Sequence, residues 1–350
     1  MSDDKVFNIG IIGSGQGGGR ICEAFYKMGY TNALAINTAP QDLKHLSLED
    51  GQKLLVDTGK QGAGKDPSIS NSAYTQNEAE ILAAIADSLG EVDRIFICAS
   101  AGGGTGTGSC IPLIEIAHRY IKSLGIQHPE KKVGVIFSIP TVGECRSRAV
   151  AKNAHGLLTE ISTLASKKKI SAAIIVENEK IKKVFPGLTM REFWPKSNSS
   201  ISSMFDCFNT IPLQDSLFSS FDPADFENVM ESHGFMTIGG TTITDDLSAE
   251  NISEAFEKNL KNTIISSGYK LSDSKSGACI ITVSEDVVDN VPGLMDEIDE
   301  AMDKISKRMN ADYIHRGIYA TDQEGLTVYS MISGLPTPYH ASQSLSKLMR

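Results

Sequence analysis

The sequence predicts an α/β protein: a parallel-sheet N-terminal domain, a central connecting helix and a smaller α/β C-terminal domain. Three observations carry this. Short runs rich in Ile, Val and Phe alternate with helix-periodic stretches through the first half of the chain. Glycine clusters stand directly after two of those runs. Beyond a serine-rich stretch the alternation resumes with more strand character. Strands separated by helices form a parallel sheet covered on both faces.

Residues 7–12 (F-N-I-G-I-I) open as a strand that stops at glycines, followed by a helix to about Met28 and a strand over 33–37. Further strands fit 53–56, 94–100, 133–139 and 172–176, with helical patterns near 77–88, 109–124 and 146–165. Residues 197–203 are polar, predicting a loop that leads into a long connecting helix over 204–217. Strands at 235–243, 278–284, 313–320 and 326–333 then alternate with helices at 250–267 and 295–308. The expected organisation is an N-terminal domain over 1–196, a connecting region over 197–221, a C-terminal domain over 222–335 and a short tail over 336–350.

A chain of 350 residues holds roughly two cores. With 41% hydrophobic and 22% charged residues, disorder is excluded as its main state. No apolar run approaches the ~18–20 residues of a membrane span, and the polar, acidic start gives no sign of a signal peptide. The six cysteines are scattered without a C-x-x-C pair, which predicts reduced thiols in a cytoplasmic protein. The histidines form no metal-binding pair, so no protein-built metal site is expected. Lys plus Arg total 33 against 43 Asp plus Glu, a net charge of -10, which argues against direct nucleic-acid binding. The lysines at 167–169, 180, 182 and 183 read as a solvated surface.

Gly13-x-Gly15-x-x-Gly18 follows the first strand and satisfies the dinucleotide fingerprint. The second strand nevertheless ends in Ala35-Ile36-Asn37-Thr38, without the carboxylate that would hold a ribose, which weakens a nicotinamide-dependent enzyme as an alternative. Gly59 to Lys65 spells G-x-x-x-x-G-K, but Asp66 and Pro67 follow where a P-loop needs Ser or Thr, and Pro67-Ser68 is expected to delay any helix. That reading is rejected, although Gly62, Ala63 and Gly64 can still offer N–H groups to an anion. The strongest signal is Gly102-Gly103-Gly104-Thr105-Gly106-Thr107-Gly108 between a strand and a helix. Five glycines in seven residues are entropically costly unless the backbone needs conformations closed to other residues. Such a loop aims several N–H groups at a phosphate beside a helix N-terminus.

Gly102–Gly108 resembles the G-G-G-T-G-T-G signature of the tubulin/FtsZ superfamily, and companion motifs follow in family order over about residues 6–335. The segment with Gly15, Gln16, Gly17, Gly18 and Arg20 resembles the first phosphate loop. Asn37-Thr38-Ala39-Pro40-Gln41-Asp42 resembles the N-T-x-x-Q-D/L segment, and Gly62-Ala63-Gly64 the next phosphate loop. Pro140, Glu144 and Arg148 match the spacing of residues at the nucleotide's ribose and base edge. Asn178 matches an asparagine near the nucleoside, and Asn209 one that bonds guanine. Asp222 and Asp225 match the aspartates that act on the nucleotide of the next subunit. Local wording at 221–226 and 328–336 is closest to the TubZ-type members found with plasmids and phages.

The resemblance implies a GTPase binding GTP and Mg²⁺ that assembles head-to-tail with itself, with hydrolysis activated by that assembly. Its implied role is plasmid or phage DNA segregation through a DNA-binding adaptor, without membrane attachment. The alternatives are an FtsZ-like division or cell-shape filament and a regulator that never polymerises. Only about fifteen residues follow the last strand, which disfavours the division role. Ala39, Cys145 and Ser220 stand where FtsZ carries Asp, Gly and Asn.

Overall fold

The computed structural model describes residues 5–349 except 217, 262, 266, 267, 310 and 312. Strand β1 (Ile9–Ser14) feeds α1 (Gly15–Lys27), and β2 (Ala33–Asn37) is followed by the short α2 (Pro40–Lys44) and β3 (Lys53–Leu55). Helices α3 (Pro67–Gln76) and α4 (Glu78–Leu89) precede β4 (Arg94–Ser100). Then come α5 (Thr105–Ser123), β5 (Val133–Ile139), α6 (Arg148–Ser166), β6 (Ala173–Glu177) and α7 (Asn178–Val184). Strands β1, β2 and β5 are buried along their whole length, as strands covered on both faces must be.

Helix α8 (Met190–Thr210) leads to α9 (Pro223–Met230) and β7 (Phe235–Ile243). The chain continues through α10 (Ala249–Lys261), β8 (Ser276–Ser284), α11 (Glu285–Asn290), α12 (Leu294–Arg308), β9 (Tyr313–Thr321), β10 (Leu326–Leu335) and α13 (Tyr339–Leu348). Among the described residues ten strands form one sheet in the order β3-β2-β1-β4-β5-β6-β7-β10-β8-β9. Strands β1 to β6 pair in parallel, β10 runs antiparallel to β7 and β8, and β9 is a parallel edge. The two parts expected as separate domains therefore share a sheet, joined where Ala173 pairs with Phe235.

Three expectations are corrected. Residues 197–203 are helical, not a loop, because α8 begins at Met190 behind the Thr189/Glu192 capping box. Their serines fold back onto the helix: Ser200 Oγ donates to Lys196 O at 2.8 Å and Ser202 Oγ to Ser199 O at 3.1 Å. Ile201, Phe205 and Phe208 form the buried stripe of α8. A helix does start at Pro67, since Asp66 caps it by accepting from Ser68 N at 2.9 Å. The segment expected as a short tail contains α13, which buries Ala341 and Leu345 and packs on α6.

One core lies on each face of the sheet. On the α1/α8/α9 face, Phe205 meets Phe25 at 5.8 Å and Phe96 at 5.1 Å, while Phe221 meets Phe208 at 6.2 Å and Phe226 at 6.0 Å. This aromatic cluster fixes α8 and α9 to the sheet. Ion pairs anchor the far end of α9: Lys132 pairs with Glu227 and, at 2.6 Å, with Glu231. Arg94, 1% exposed, lies 3.8 Å from Glu227 with its guanidinium 5.1 Å from the Phe7 ring. Burial pushes Arg94 down to about 10, which leaves it charged at neutral pH. All six cysteines are free, and no described helix is long and apolar enough to cross a membrane.

Candidate functional site

A cavity of about 430 Å³ opens at the C-terminal ends of β1, β4, β5 and β6. Crevices at the carboxyl ends of parallel strands are where α/β sheets bind ligands, and the volume suits a small molecule. Two helix N-termini converge there, α1 at Gly15–Gly17 and α5 at Thr105 and Gly106. Neither has a side-chain cap bond nor an acidic residue in its first turn. Helix starts left that way present unpaired N–H groups and positive dipole ends, the requirement for holding phosphate.

The glycines divide into those that face the cavity and those that allow close packing. Gly103 lines the cavity, and a Cβ there would meet no atom within 4 Å, so the space it would take is the cavity's. Gly15 has φ +71 and Gly102 φ +122, conformations that exclude most other residues. Gly18 and Gly108 serve packing: an added Cβ would lie 2.1 Å from Cys98 O and 1.9 Å from Pro67 O. Asn153 on α6 secures the loop by donating from Nδ2 to Gly102 O at 3.2 Å and to Lys65 O at 2.9 Å. Beneath it, the buried Ser14 Oγ bonds Tyr74 Oη at 3.0 Å and Ser109 Oγ at 2.6 Å. Burial raises the Tyr74 phenol, keeping this layer neutral.

Of the residues singled out from sequence, Gly15, Gln16, Gly17 and Arg20 line the cavity, as do Gly102, Gly103, Gly104, Thr105 and Gly106. Pro140, Glu144 and Asn178 line it on the β5/β6 side. Glu144 is oriented by Thr141, whose N and Oγ1 donate to Glu144 Oε2 at 2.7 and 2.9 Å. Others act from behind. Asn37 Oδ1 accepts from Thr38 N at 2.8 Å, and its Nδ2 donates to Asp42 Oδ2 at 3.2 Å. Thr107 Oγ1 accepts from Gly102 N at 3.0 Å. Ala63 supports Gly104, where an added Cβ would come within 2.7 Å of it; Gly62 and Gly64 lie outside the lining. Arg148, the exposed first residue of α6, is also outside it.

Asn209 is the clear misplacement. Its side chain is fully buried, with Oδ1 accepting from Phe7 N at 2.9 Å and Nδ2 donating to Phe7 O at 3.1 Å and Tyr30 Oη at 3.2 Å. The residues of α8 that reach the cavity are Trp194 and Asn198, one turn apart on the same face. Asn198 precedes Asn209 by roughly 16 Å along the helix axis. Reading 197–203 as loop concealed this i, i+4 pair; helical periodicity carried across the serines would have found it. Lys65, Ser100, Ser138 and Val150, with Ile21, Ala101 and Val176, complete the lining and were not singled out. Asp42 was quoted only within a motif, yet it lines the cavity and accepts from Gln16 Nε2 at 3.0 Å. Asn209→Ala is expected to destabilise the fold by about 1–3 kcal/mol, because it orphans buried polar groups. Nucleotide affinity should stay within about twofold; paired thermal unfolding and binding titrations check both.

Asp222 and Asp225 lie away from this cavity, at the start of α9. Asp222 Oδ1 accepts from Asp225 N at 2.9 Å, and Asp225 Oδ2 accepts from Asp222 N at 3.3 Å, a reciprocal capping box. Helix α8 has 21 residues, about 30 Å of axis, with its first turns at the cavity. Its last turn meets the chain just before β1, where Val6 N donates to Asn209 O. The ion pairs of α9 reach Lys132 and Arg94 at the N-terminal ends of β5 and β4. The acid pair and the cavity thus occupy opposite ends of the sheet.

Residues 8–186 match the Tubulin/FtsZ family GTPase domain, and residues 219–339 match the C-terminal domain of the tubulin-like protein TubZ. Tubulin-like protein TubZ of Bacillus cereus is 21% identical over 341 residues, covering 91% of this chain and 75% of that relative. Cell division protein FtsZ 2 of Pyrococcus furiosus is 25% identical over 345 residues, covering 95% and 77%. The fold is similar to a GTPγS-form protofilament of Bacillus thuringiensis serovar israelensis TubZ, with TM-score 0.81 and 18% identity over 99% of this chain and 92% of that one. A helical two-stranded TubZ-Bt filament is similar at TM-score 0.80 and 20% identity, covering 99% and 88%. Uncapped helix starts at a glycine-lined cavity, a sheet continuous into a second α/β part and a family match over both parts lead to one conclusion: the chain belongs to the Tubulin/FtsZ family.

Proposed function

We propose that this chain is a GTP-hydrolysing cytoskeletal protein whose subunits assemble head-to-tail into filaments and hydrolyse GTP at the subunit junctions. The observation that carries the reading is the separation of the phosphate cradle from Asp222 and Asp225, at opposite ends of one continuous sheet. A subunit cannot apply those acids to its own nucleotide, but the next subunit's acids can close the cavity of the first. Such a contact is heterologous and propagates instead of closing.

Within the junction, the N–H groups at Gly15–Gly17 and Gly102–Gly106 hold the phosphates, with Arg20 and Lys65 adding positive charge. Asn178, Asn198 and Trp194 take the base, with Glu144 beside the ribose. Asp222 and Asp225 orient and polarise the attacking water. Mg²⁺ neutralises phosphate charge when bound. The described residues form no group of three or more His, Cys, Asp or Glu suited to a metal, so the ion would rest chiefly on the phosphates.

The TubZ-type C-terminal match, and relatives named as TubZ, favour plasmid or phage DNA segregation in the cytoplasm through a DNA-binding adaptor over cell division. The test is right-angle light scattering recorded with phosphate release as protein concentration rises, with GTP and Mg²⁺, and with ATP as control. Scattering and turnover per subunit are expected to rise together above a critical concentration with GTP only. GTP binding with concentration-independent turnover would reduce the protein to a nucleotide sensor.

A further inference from the structure

The loop that carries the acid pair is held by the edge strand of the sheet. Among the described residues β9 has no strand neighbour beyond β8, and Ser216 and Ser219 bond along its open side. Ser216 bridges Tyr319 in antiparallel fashion, and Ile318 N donates to Ser219 O at 2.9 Å. Phe221 N donates to Tyr319 Oη at 2.8 Å. Gly317 permits the approach, because a Cβ there would sit 2.9 Å from Phe221 Cβ. His315, Gly317 and Tyr319 alternate along β9 and so share one face. At the end of that row His315 Nδ1 lies 2.6 Å from Asp225 Oδ1, and its ring is 6.4 Å from that of Phe221.

We infer that His315 is a positioning residue for GTP hydrolysis: it donates Nδ1–H to Asp225 and thereby aims Asp222 at the neighbouring subunit's nucleotide. A carboxylate oxygen accepts, so at 2.6 Å Nδ1 is the ring nitrogen placed to donate to Asp225. Asp225 then has both oxygens engaged, Oδ1 by His315 and Oδ2 by Asp222 N. Asp222 spends Oδ1 on Asp225 N and is exposed, whereas Asp225 is half-buried. The two acids are therefore unequal. Asp222 Oδ2 is the oxygen the capping box does not use, and its placement depends on that box, which His315 contacts from β9. This inference rests on the proposed action of the acid pair across the subunit junction.

The test compares His315→Ala, His315→Asn and His315→Gln in the full-length protein, alongside Asp222→Asn. Assembly is measured with a slowly hydrolysed GTP analogue, and phosphate release is normalised to sedimented subunits. Asparagine carries an N–H on Cγ, where histidine carries Nδ1; glutamine carries it one bond further out. His315→Ala should assemble at the wild-type critical concentration yet turn over roughly 10- to 100-fold more slowly per filament subunit, the scale of a misplaced reacting group. His315→Asn should recover most of that rate and His315→Gln should not. A merely structural contact would alter thermal stability without separating Asn from Gln in turnover. Wild-type turnover in His315→Ala, or equal turnover in the Asn and Gln variants, overturns the inference. Should His315→Ala not fold, the Asn/Gln comparison decides; failure of all three to fold makes the contact structural and overturns it too. Normal turnover in Asp222→Asn would instead remove the underlying junction reading, whereas slow Asp222→Asn with normal His315→Ala removes this inference alone.

Discussion

Asp222→Asn is expected to form filaments with GTP and to hydrolyse it roughly 10²- to 10³-fold more slowly per assembled subunit, the usual loss when a preorganised polar group is removed from a transition state. Asparagine is the informative replacement because it caps helices as well as aspartate does. It retains an oxygen for Asp225 N, whose bond to Asp222 is 2.9 Å, so α9 should start where it does now. What is lost is the charge that polarises water. Filaments of the variant should therefore persist after wild-type filaments have disassembled. Sedimentation with phosphate release over a single GTP addition checks both outcomes. Asp222→Ala would confound them, since losing the cap costs about 1 kcal/mol at the helix start.

Gly103→Asp is expected to weaken GTP binding by roughly 10²- to 10³-fold. Two like charges about 4 Å apart repel by about 4 kcal/mol at an effective dielectric of 20, before partial screening. The fold should survive. A Cβ at Gly103 meets no atom within 4 Å, and the residue is exposed. The new carboxylate would also lie near the uncapped start of α5, imitating the anion it displaces. In the absence of nucleotide the unfolding temperature should stay within about 2 °C of wild type. GTP titration by fluorescence and nucleotide-free thermal unfolding separate the two effects. Gly104→Asp is a poorer test, because its Cβ would come within 2.7 Å of Ala63 and 3.0 Å of Asp66 N.

The sequence reads best where a function is local. The loop at Gly102–Gly108 and the turn at Gly15–Gly18 are contiguous, bounded by strand and helix, and need conformations or contacts that other residues obstruct. Their chemistry is therefore written in consecutive letters, as is the capping-box spacing of Asp222 and Asp225. Within those segments the division of labour was not legible. Gly103 and Gly108 look alike in sequence, yet one faces the cavity and the other packs on Pro67. Arg148 kept the expected spacing from Glu144 but emerges on the exposed side of α6.

By itself, the sequence determined the family, the strand–helix alternation and the presence of a phosphate cradle, because short-range periodicity and glycine spacing encode these directly. Only the tertiary structure decided which turn of α8 reaches the cavity. That depends on where the helix starts, and serine hydroxyls can satisfy either a loop or the preceding turn of a helix. It also decided that Asn209 is a buried brace for Phe7 and Tyr30, and that His315 reaches Asp225 across 90 residues of chain. Such contacts have no signature in local spacing: they exist because a continuous sheet brings its edge strand beneath a loop encoded far upstream.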